Sequence, residues 1–199
     1  MQKVMLCCAL LFWGGLLWAQ NQENASEWIA TTSFGIAELE REGEFKTNTN
    51  VYAVHFGRGF RLNDRFSIRP RIGLRRQSGN FVAAGESFFL VNQDLQIPVD
   101  VRYSALLMEK IAVYVDFGIY GSFLVDAQVE IAGFDDQSID DNGFNLGAGV
   151  GFGILLPVGE TVNFQLGMTS QSDFLNSYDD ADFETTQLYA FQFGVGFQF

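Results

Sequence analysis

The sequence predicts an all-β fold, an eight-stranded antiparallel up-and-down transmembrane β-barrel, and three observations carry that prediction. Apolar and polar residues alternate with period two along most of the chain, 21 Phe and 21 Gly accompany only 18% charged residues, and short breaks between the alternating segments take turns with long polar ones. Successive strand side chains point to opposite faces, so a period of two marks a two-faced sheet rather than a helix. A length of 199 residues suits one domain. Charged residues fall below the roughly 25% of soluble domains, and the composition excludes disordered, collagen-like and coiled-coil chains. With a net charge of −12, nothing here neutralises a run of phosphates, so no nucleic acid is expected as a partner.

The first nineteen residues stand outside the fold. Lys3 supplies a positive start, 4–18 is an almost unbroken apolar run, and Leu17-Trp18-Ala19 ends on a small residue suited to cleavage before Gln20. Residues 1–19 are therefore expected to be a signal peptide and 20–199 the barrel domain. The apolar run is shorter than the about 20 residues of a membrane-spanning helix. Cys7 and Cys8 both lie within it, neither after a lipobox, so the mature chain carries no thiol for disulfides, zinc or nucleophilic catalysis. Loss of Lys3 leaves 11 basic against 24 acidic residues, a net charge of −13.

The strands follow in order. Segments 28–39 and 51–62 alternate least cleanly, and Arg58 interrupts the apolar face of the second. Phe66, Ile68, Ile72 and Leu74 then alternate with Ser67, Arg69, Arg71 and Arg75, and Leu95, Ile97, Val99, Val101 and Tyr103 alternate with Gln96, Asp100, Arg102 and Ser104. Over 111–131 every odd position is apolar or small, with Tyr114, Asp116, Tyr120, Asp126, Gln128 and Glu130 between them; a helix over the same residues has no coherent apolar stripe. Phe144, Leu146, Ala148, Val150, Phe152 and Ile154 alternate with Gly147, Gly149, Gly151 and Gly153. Val162, Phe164, Leu166 and Met168 form the seventh apolar row, and Tyr189, Phe191, Phe193, Val195, Phe197 and Phe199 form the eighth.

The breaks near 63–64, 107–110 and 157–160 are short, whereas 40–50, 76–93, 132–142 and 171–186 are long and polar. Short turns at one end and long loops at the other are the pattern of an outer-membrane barrel, with the long loops outside the cell. Several strands exceed the about 9–11 residues needed to span and are expected to project. A secreted lipocalin-like binding barrel has the same period with its apolar face turned to the lumen. Three features favour the inverted arrangement. The glycine row relieves crowding in a narrow interior, the apolar face is bulky on nearly every strand, and the aromatic row ending at Phe199 resembles the C-terminal signal read by barrel-assembly machinery.

The segment Leu95-Gln96-Ile97-Pro98-Val99-Asp100-Val101-Arg102-Tyr103, the strand through Asp116-Phe117-Gly118-Ile119-Tyr120-Gly121, the glycine ladder and the closing Gly194-Val195-Gly196-Phe197-Gln198-Phe199 together resemble the PorT-like outer-membrane β-barrel family. The likeness covers most of 28–199. It implies an eight-stranded barrel similar in architecture to OmpA and OmpX, without an established enzymatic role, in a group that includes adhesins and secretion accessories.

Candidate functional residues divide by face. Arg69, Arg71, Arg75 and Arg102 share the polar face with Asp94, Asp100, Asp116, Asp126, Tyr114 and Tyr120, and inside a barrel these charges must pair or be hydrated. A structural ion-pair plug is the expected arrangement, a narrow channel or porin for small solutes the alternative. His55, the sole histidine, falls on the polar face without a His-x-Ser partner, so no catalytic residue and no enzymatic activity are expected. The run 147–153 lacks the strand-to-helix turn of a dinucleotide loop, and no cofactor is expected. The acidic clusters Asp135, Asp136, Asp140, Asp141 and Asp179, Asp180, Asp182, Glu184 offer oxygen ligands for Ca²⁺ or Mg²⁺ in the loops but lack EF-hand spacing, so no dedicated metal site is expected. Phe134, Phe174, Leu175, Tyr178 and Phe183 nearby suit contact with an extracellular protein or glycan. The expected object is a monomer in a bacterial outer membrane, held by lipid, with both termini on the periplasmic side and a structural or surface-interaction role.

Overall fold

The computed structural model describes residues 26–41, 45–83, 86–108, 111–131, 137–138, 143–176 and 183–199. The 1–19 segment lies outside them. Nine strands follow in chain order: β1 (Ser26–Arg41), β2 (Phe45–Arg61), β3 (Phe66–Ala83), β4 (Glu86–Met108), β5 (Ile111–Ile131), β6 (Gln137–Ser138), β7 (Phe144–Val158), β8 (Val162–Asn176) and β9 (Phe183–Gln198). Apart from β6, a two-residue pairing on β5, they form one antiparallel sheet in the order β4-β3-β2-β1-β9-β8-β7-β5, and β4 pairs with β5 to close it. The eight-stranded up-and-down barrel expected from the sequence is the fold.

The stagger of the sheet can be read residue by residue. Facing partners lead from Ser26 through Phe60, Ile68, Val101, Phe117, Val150, Ser170 and Tyr189 back to β1 at Ile36, ten residues from the start. Eight strands so staggered tilt by about 35–45° and enclose a space only as wide as the side chains that fill it. Each of the eight wall strands pairs with a neighbour on both sides, so most of their backbone groups find partners within the chain, as a lipid surrounding demands, with breaks in the ladders around Pro70 and Pro98.

The two faces separate as the inverted arrangement requires. Phe117 and Ile119 on the outside are each 60% exposed, whereas Arg69 on the inside is 2% exposed and Gln96 is 0% exposed. A lipocalin-like barrel has its oily face inward, so that alternative does not describe this chain. One small apolar group does lie inside: Ala37, Val51, Leu188 and Ala190 are buried together on the β9-β1-β2 wall toward the long-loop end.

The connections differ from expectation. Pairing of β1 with β2 continues to Arg41 and Phe45, and pairing of β3 with β4 continues to Ala83 and Glu86. Much of the polar stretches 40–50, 76–93 and 171–186 is thus strand, and the expected loops are largely hairpins that continue the barrel wall. The physical reason is that a strand beyond the hydrocarbon no longer needs an oily outer face, so its hydropathy alternation fades while its backbone pairing continues. The 23 residues of β4 climb about 55 Å at such a tilt, roughly twice the height of an outer-membrane apolar band. At the opposite end the turns are tight. Asn63 Oδ1 accepts hydrogen bonds from the backbone N–H groups of Arg65 and Phe66 at 2.9 Å each, an Asx turn joining β2 to β3. Gly159 turns β7 into β8 at φ 73°, a left-handed conformation that suits glycine.

The glycine row on β7 faces inward. A Cβ on Gly147 would overlap the Tyr120 ring and the Ser172 carbonyl oxygen, whereas on Gly149 the nearest atoms, Gln171 Cγ and the Ser170 carbonyl oxygen, stand at 3.3 Å. Gly147→Ala is therefore expected to lower stability to urea by about 1–3 kcal/mol, the usual cost of overpacking, and to reduce the heat-modifiable folded band. Gly149→Ala should lose much less on both readouts; equal losses at the two positions would contradict this assignment of space.

Candidate functional site

The lumen holds three successive groups of polar side chains among the described residues. Nearest the short turns, Arg102 and Asp116 occupy facing positions on β4 and β5, and the guanidinium grips the carboxylate through Nε at 2.7 Å and Nη2 at 2.6 Å. This is the bidentate geometry that makes Arg–carboxylate pairs strong. The same guanidinium lies 3.6 Å from the Tyr114 ring centroid and donates through Nη1 to Gln165 Oε1 at 2.9 Å. Arg69 reaches across from β3 to that oxygen, with Nη1 and Nη2 at 3.2 Å each, and stands 3.5 Å from Glu27 and 4.0 Å from Asp116. Gln165 thus joins two arginines to β8 on the far wall.

In the middle, Arg71 pairs with Asp100 and donates to Thr31 Oγ1 at 3.1 Å. His55 shares a 3.0 Å hydrogen bond with Gln96 Oε1, and Gln96 donates to Gln171 at 3.4 Å. Toward the long-loop end, Arg75 and Asp94 face each other across β3 and β4 and bond at 3.0 Å and 2.9 Å. Tyr120 donates to Asp173 Oδ1 at 2.5 Å; the other oxygen of Asp173 accepts from Asn145 and from the Thr185 backbone N–H. Gln77 donates to the Thr185 hydroxyl at 3.1 Å. Pairing of this kind answers the high cost of holding charge away from water.

Two spaces remain. A cavity of about 20 Å³ among His55, Arg71, Asp100, Asp116 and Tyr120 is room for about one water molecule. A larger one of about 340 Å³ opens at the short-turn end, bounded by Glu27, Arg61, Arg65, Arg69, Arg102 and Gln165.

Of the residues singled out in the sequence, Arg69, Arg71, Arg75, Asp94, Asp100, Arg102, Tyr114, Asp116 and Tyr120 project into this interior. Asp126 does not join them. The β4–β5 register shifts between Gln93 and Asp94, inserting Val125 as an extra residue on β5, so the facing pattern changes phase. Val125 stays outside, Ala127 turns inward, and Asp126 instead accepts from Gln128 at 3.1 Å in an exposed pair. The expected continuous apolar outer row of 111–131 therefore ends at Val125. Asp135, Asp136, Asp140, Asp141, Asp179, Asp180 and Asp182 lie outside the described residues, and Glu184 is described only as part of the β9 backbone. Tyr189, Phe191, Phe193, Phe197 and Phe199 stand exposed on the outer wall, with Val195 half-buried among them.

Sequence reasoning missed Glu27, Gln165 and Asp173 as members of the network. Asp173 falls inward because the alternation of β8 continues past Gln171 to an outward Phe174, a signal obscured by the polar residues around it. Glu27 sits in the noisiest strand, and Gln165 gave no charge to notice.

Comparison with known proteins agrees with this geometry. A family model described as "Outer membrane protein beta-barrel domain" matches residues 6–199. No curated protein matches the sequence. Neisserial surface protein A is similar in structure, at 17% identity over 89% of this chain and 100% of its own, with a TM-score of 0.56. The outer membrane protein OprG of Pseudomonas aeruginosa aligns at 9% identity over 88% of this chain and 95% of its own, TM-score 0.53. A major outer membrane protein of Thermus thermophilus aligns at 13% identity over 87% and 99%, TM-score 0.52. At such identities the structural likeness is one of fold. With the matched family model spanning nearly its whole length, the chain belongs to the outer membrane protein β-barrel domain family.

Proposed function

We propose that the protein is a non-conducting, non-catalytic barrel of the bacterial outer membrane that presents its projecting hairpins to an extracellular protein or glycan. The closed lumen is the observation that carries this reading. Arg102, Asp116, Gln165 and Arg69 link opposite walls by hydrogen bonds, and the space above them is about 20 Å³. A hydrated solute needs a continuous path, and these side chains occupy it. The strands that extend past the apolar band form a rigid stem, which suits holding a contact surface clear of the membrane. In this reading the chain acts as a monomer, since the sheet closes on itself. Residues 1–19 direct export, the outward aromatic row of β9 is recognised by barrel-assembly machinery, and the finer kinship is with the PorT-like family.

In planar bilayers the folded protein is expected to give negligible conductance, and steady open-channel currents would overturn the plug. Asp116→Ala leaves Arg102 and Arg69 without their shared carboxylate. Breaking a buried pair in this way is expected to cost about 3–5 kcal/mol of stability in urea and to raise conductance above that of the parent.

The surface reading has its own test. Protease added to intact cells should cut within 132–142 or 177–182, while the turn at 62–65 is cut only after the outer membrane is permeabilised. Cleavage at 62–65 in intact cells would mean that the short turns face outward, and the proposed contact surface would be lost.

A further inference from the structure

Arg58 interrupts the outward row of β2 between Phe56 and Phe60, on a wall that membrane residence turns toward lipid. Its guanidinium carbon lies 5.6 Å from the Trp28 ring centroid, 5.3 Å from that of Phe60 and 5.2 Å from that of Phe199. Nη2 donates to Ser26 Oγ at 2.9 Å. Nε is buried with no hydrogen-bond partner, and among the described residues no carboxylate lies within ion-pairing distance of the group. A guanidinium carries five N–H donors in a planar fork, so most of its hydrogen-bonding capacity is unused. The rings hold the cation in place by contact with its face but supply no anion.

The height of this group narrows its partner. Arg58 is three residues from Arg61, the last residue of β2, about 10 Å along the strand and less in height because of the tilt. Apolar residues continue below it: Phe60, Leu62, Phe66 and Phe199 lie toward the short turns. A cation on the lipid face costs most at the bilayer midplane and little near the headgroups, so this depth is tolerable where a headgroup anion can meet it. Short turns mark the periplasmic side of such barrels. The anion available there is the phosphate of a glycerophospholipid, which matches a guanidinium fork in shape and charge.

We propose that Arg58, held by Trp28, Phe60, Phe199 and Ser26, is a binding site for the phosphate of a periplasmic-leaflet glycerophospholipid, whose acyl chains lie along the outer wall beside Trp28 and Phe56. Trp28 and Phe56 stack at 5.3 Å between centroids and are both substantially exposed, offering a flat apolar surface for those chains. The inference rests on the membrane residence that the family establishes, and not on the lumen being closed or on the hairpins binding a partner.

Native mass spectrometry of the full barrel tests it, after reconstitution into phosphatidylglycerol, phosphatidylethanolamine or phosphate-free monogalactosyldiacylglycerol and release into mild detergent. The parent should retain one phospholipid in either phosphate-bearing case and about tenfold less of the galactolipid. Arg58→Met should lose that retention about tenfold while keeping its heat-modifiable fold, since methionine against lipid is no obstacle to folding; Arg58→Lys should fall between. Equal retention by the parent and Arg58→Met would overturn the proposal. So would equal retention of the galactolipid and the phospholipids by the parent, a result that needs no variant to fold. Because both phospholipids carry the phosphate, strong preference for the anionic one alone would also contradict recognition of the phosphate itself.

Discussion

A sheet of eight strands closed on itself leaves an interior no wider than the side chains projecting into it, and lipid forces the other face to be oily. From those two demands the remaining features follow. Along the apolar band most polar side chains turn inward, Arg58 excepted, and there they must find partners, because little room is left for water. Arg102 with Asp116 and Arg75 with Asp94 pair across neighbouring strands, while Gln165 on β8 reaches Arg69 and Arg102 across the lumen and Asp173 reaches Tyr120 over β7. Glycine enters for the same reason: Tyr114 and Tyr120 need room, and Gly153, Gly167 and Gly147 supply it by having no side chain.

Much of this was legible in the sequence, because alternation reports which face a residue occupies wherever the outside is lipid. The rows on β3, β5 and β9 could be read directly, and so could the inward placing of Arg69, Arg71, Arg75, Arg102 and Asp116. Alternation failed where its physical cause stopped. Beyond the apolar band, the strands at 45–50, 76–83 and 86–93 keep their backbone pairing without an oily face, so they read as loops. At Val125 one extra residue changes the phase, and Asp126 moved out of the network.

Which charge meets which was legible only in part. Arg102 faces Asp116 and Arg75 faces Asp94 in the register, so these pairs follow once strands are aligned. Arg69 faces Asp100, yet Asp100 pairs with Arg71, and Arg69 bonds to Gln165 on the opposite wall. Contacts across the lumen depend on the stagger of the whole sheet, which no single strand encodes. Arg58 is a different case. Its interruption of an apolar row was visible in the sequence, but the ring of Trp28, Phe60 and Phe199 around it joins two strands and the end of the chain, and forms only on closure.

The central claim is that oily side chains meet lipid and paired charges fill the core, with the phase of β5 changing at Val125. Single nitroxide labels along β5 in lipid bilayers, each scored for collision with dissolved oxygen against a water-soluble nickel chelate, test it directly. Oxygen contact should peak at Val115, Phe117, Ile119 and Val125, fall at Tyr114, Asp116 and Ser122, and be low at Ala127 despite its odd number. Peaks at Tyr114 and Asp116 would mean that the wall faces the other way, and unbroken alternation through Ala127 would remove the extra residue on which the placing of Asp126 depends.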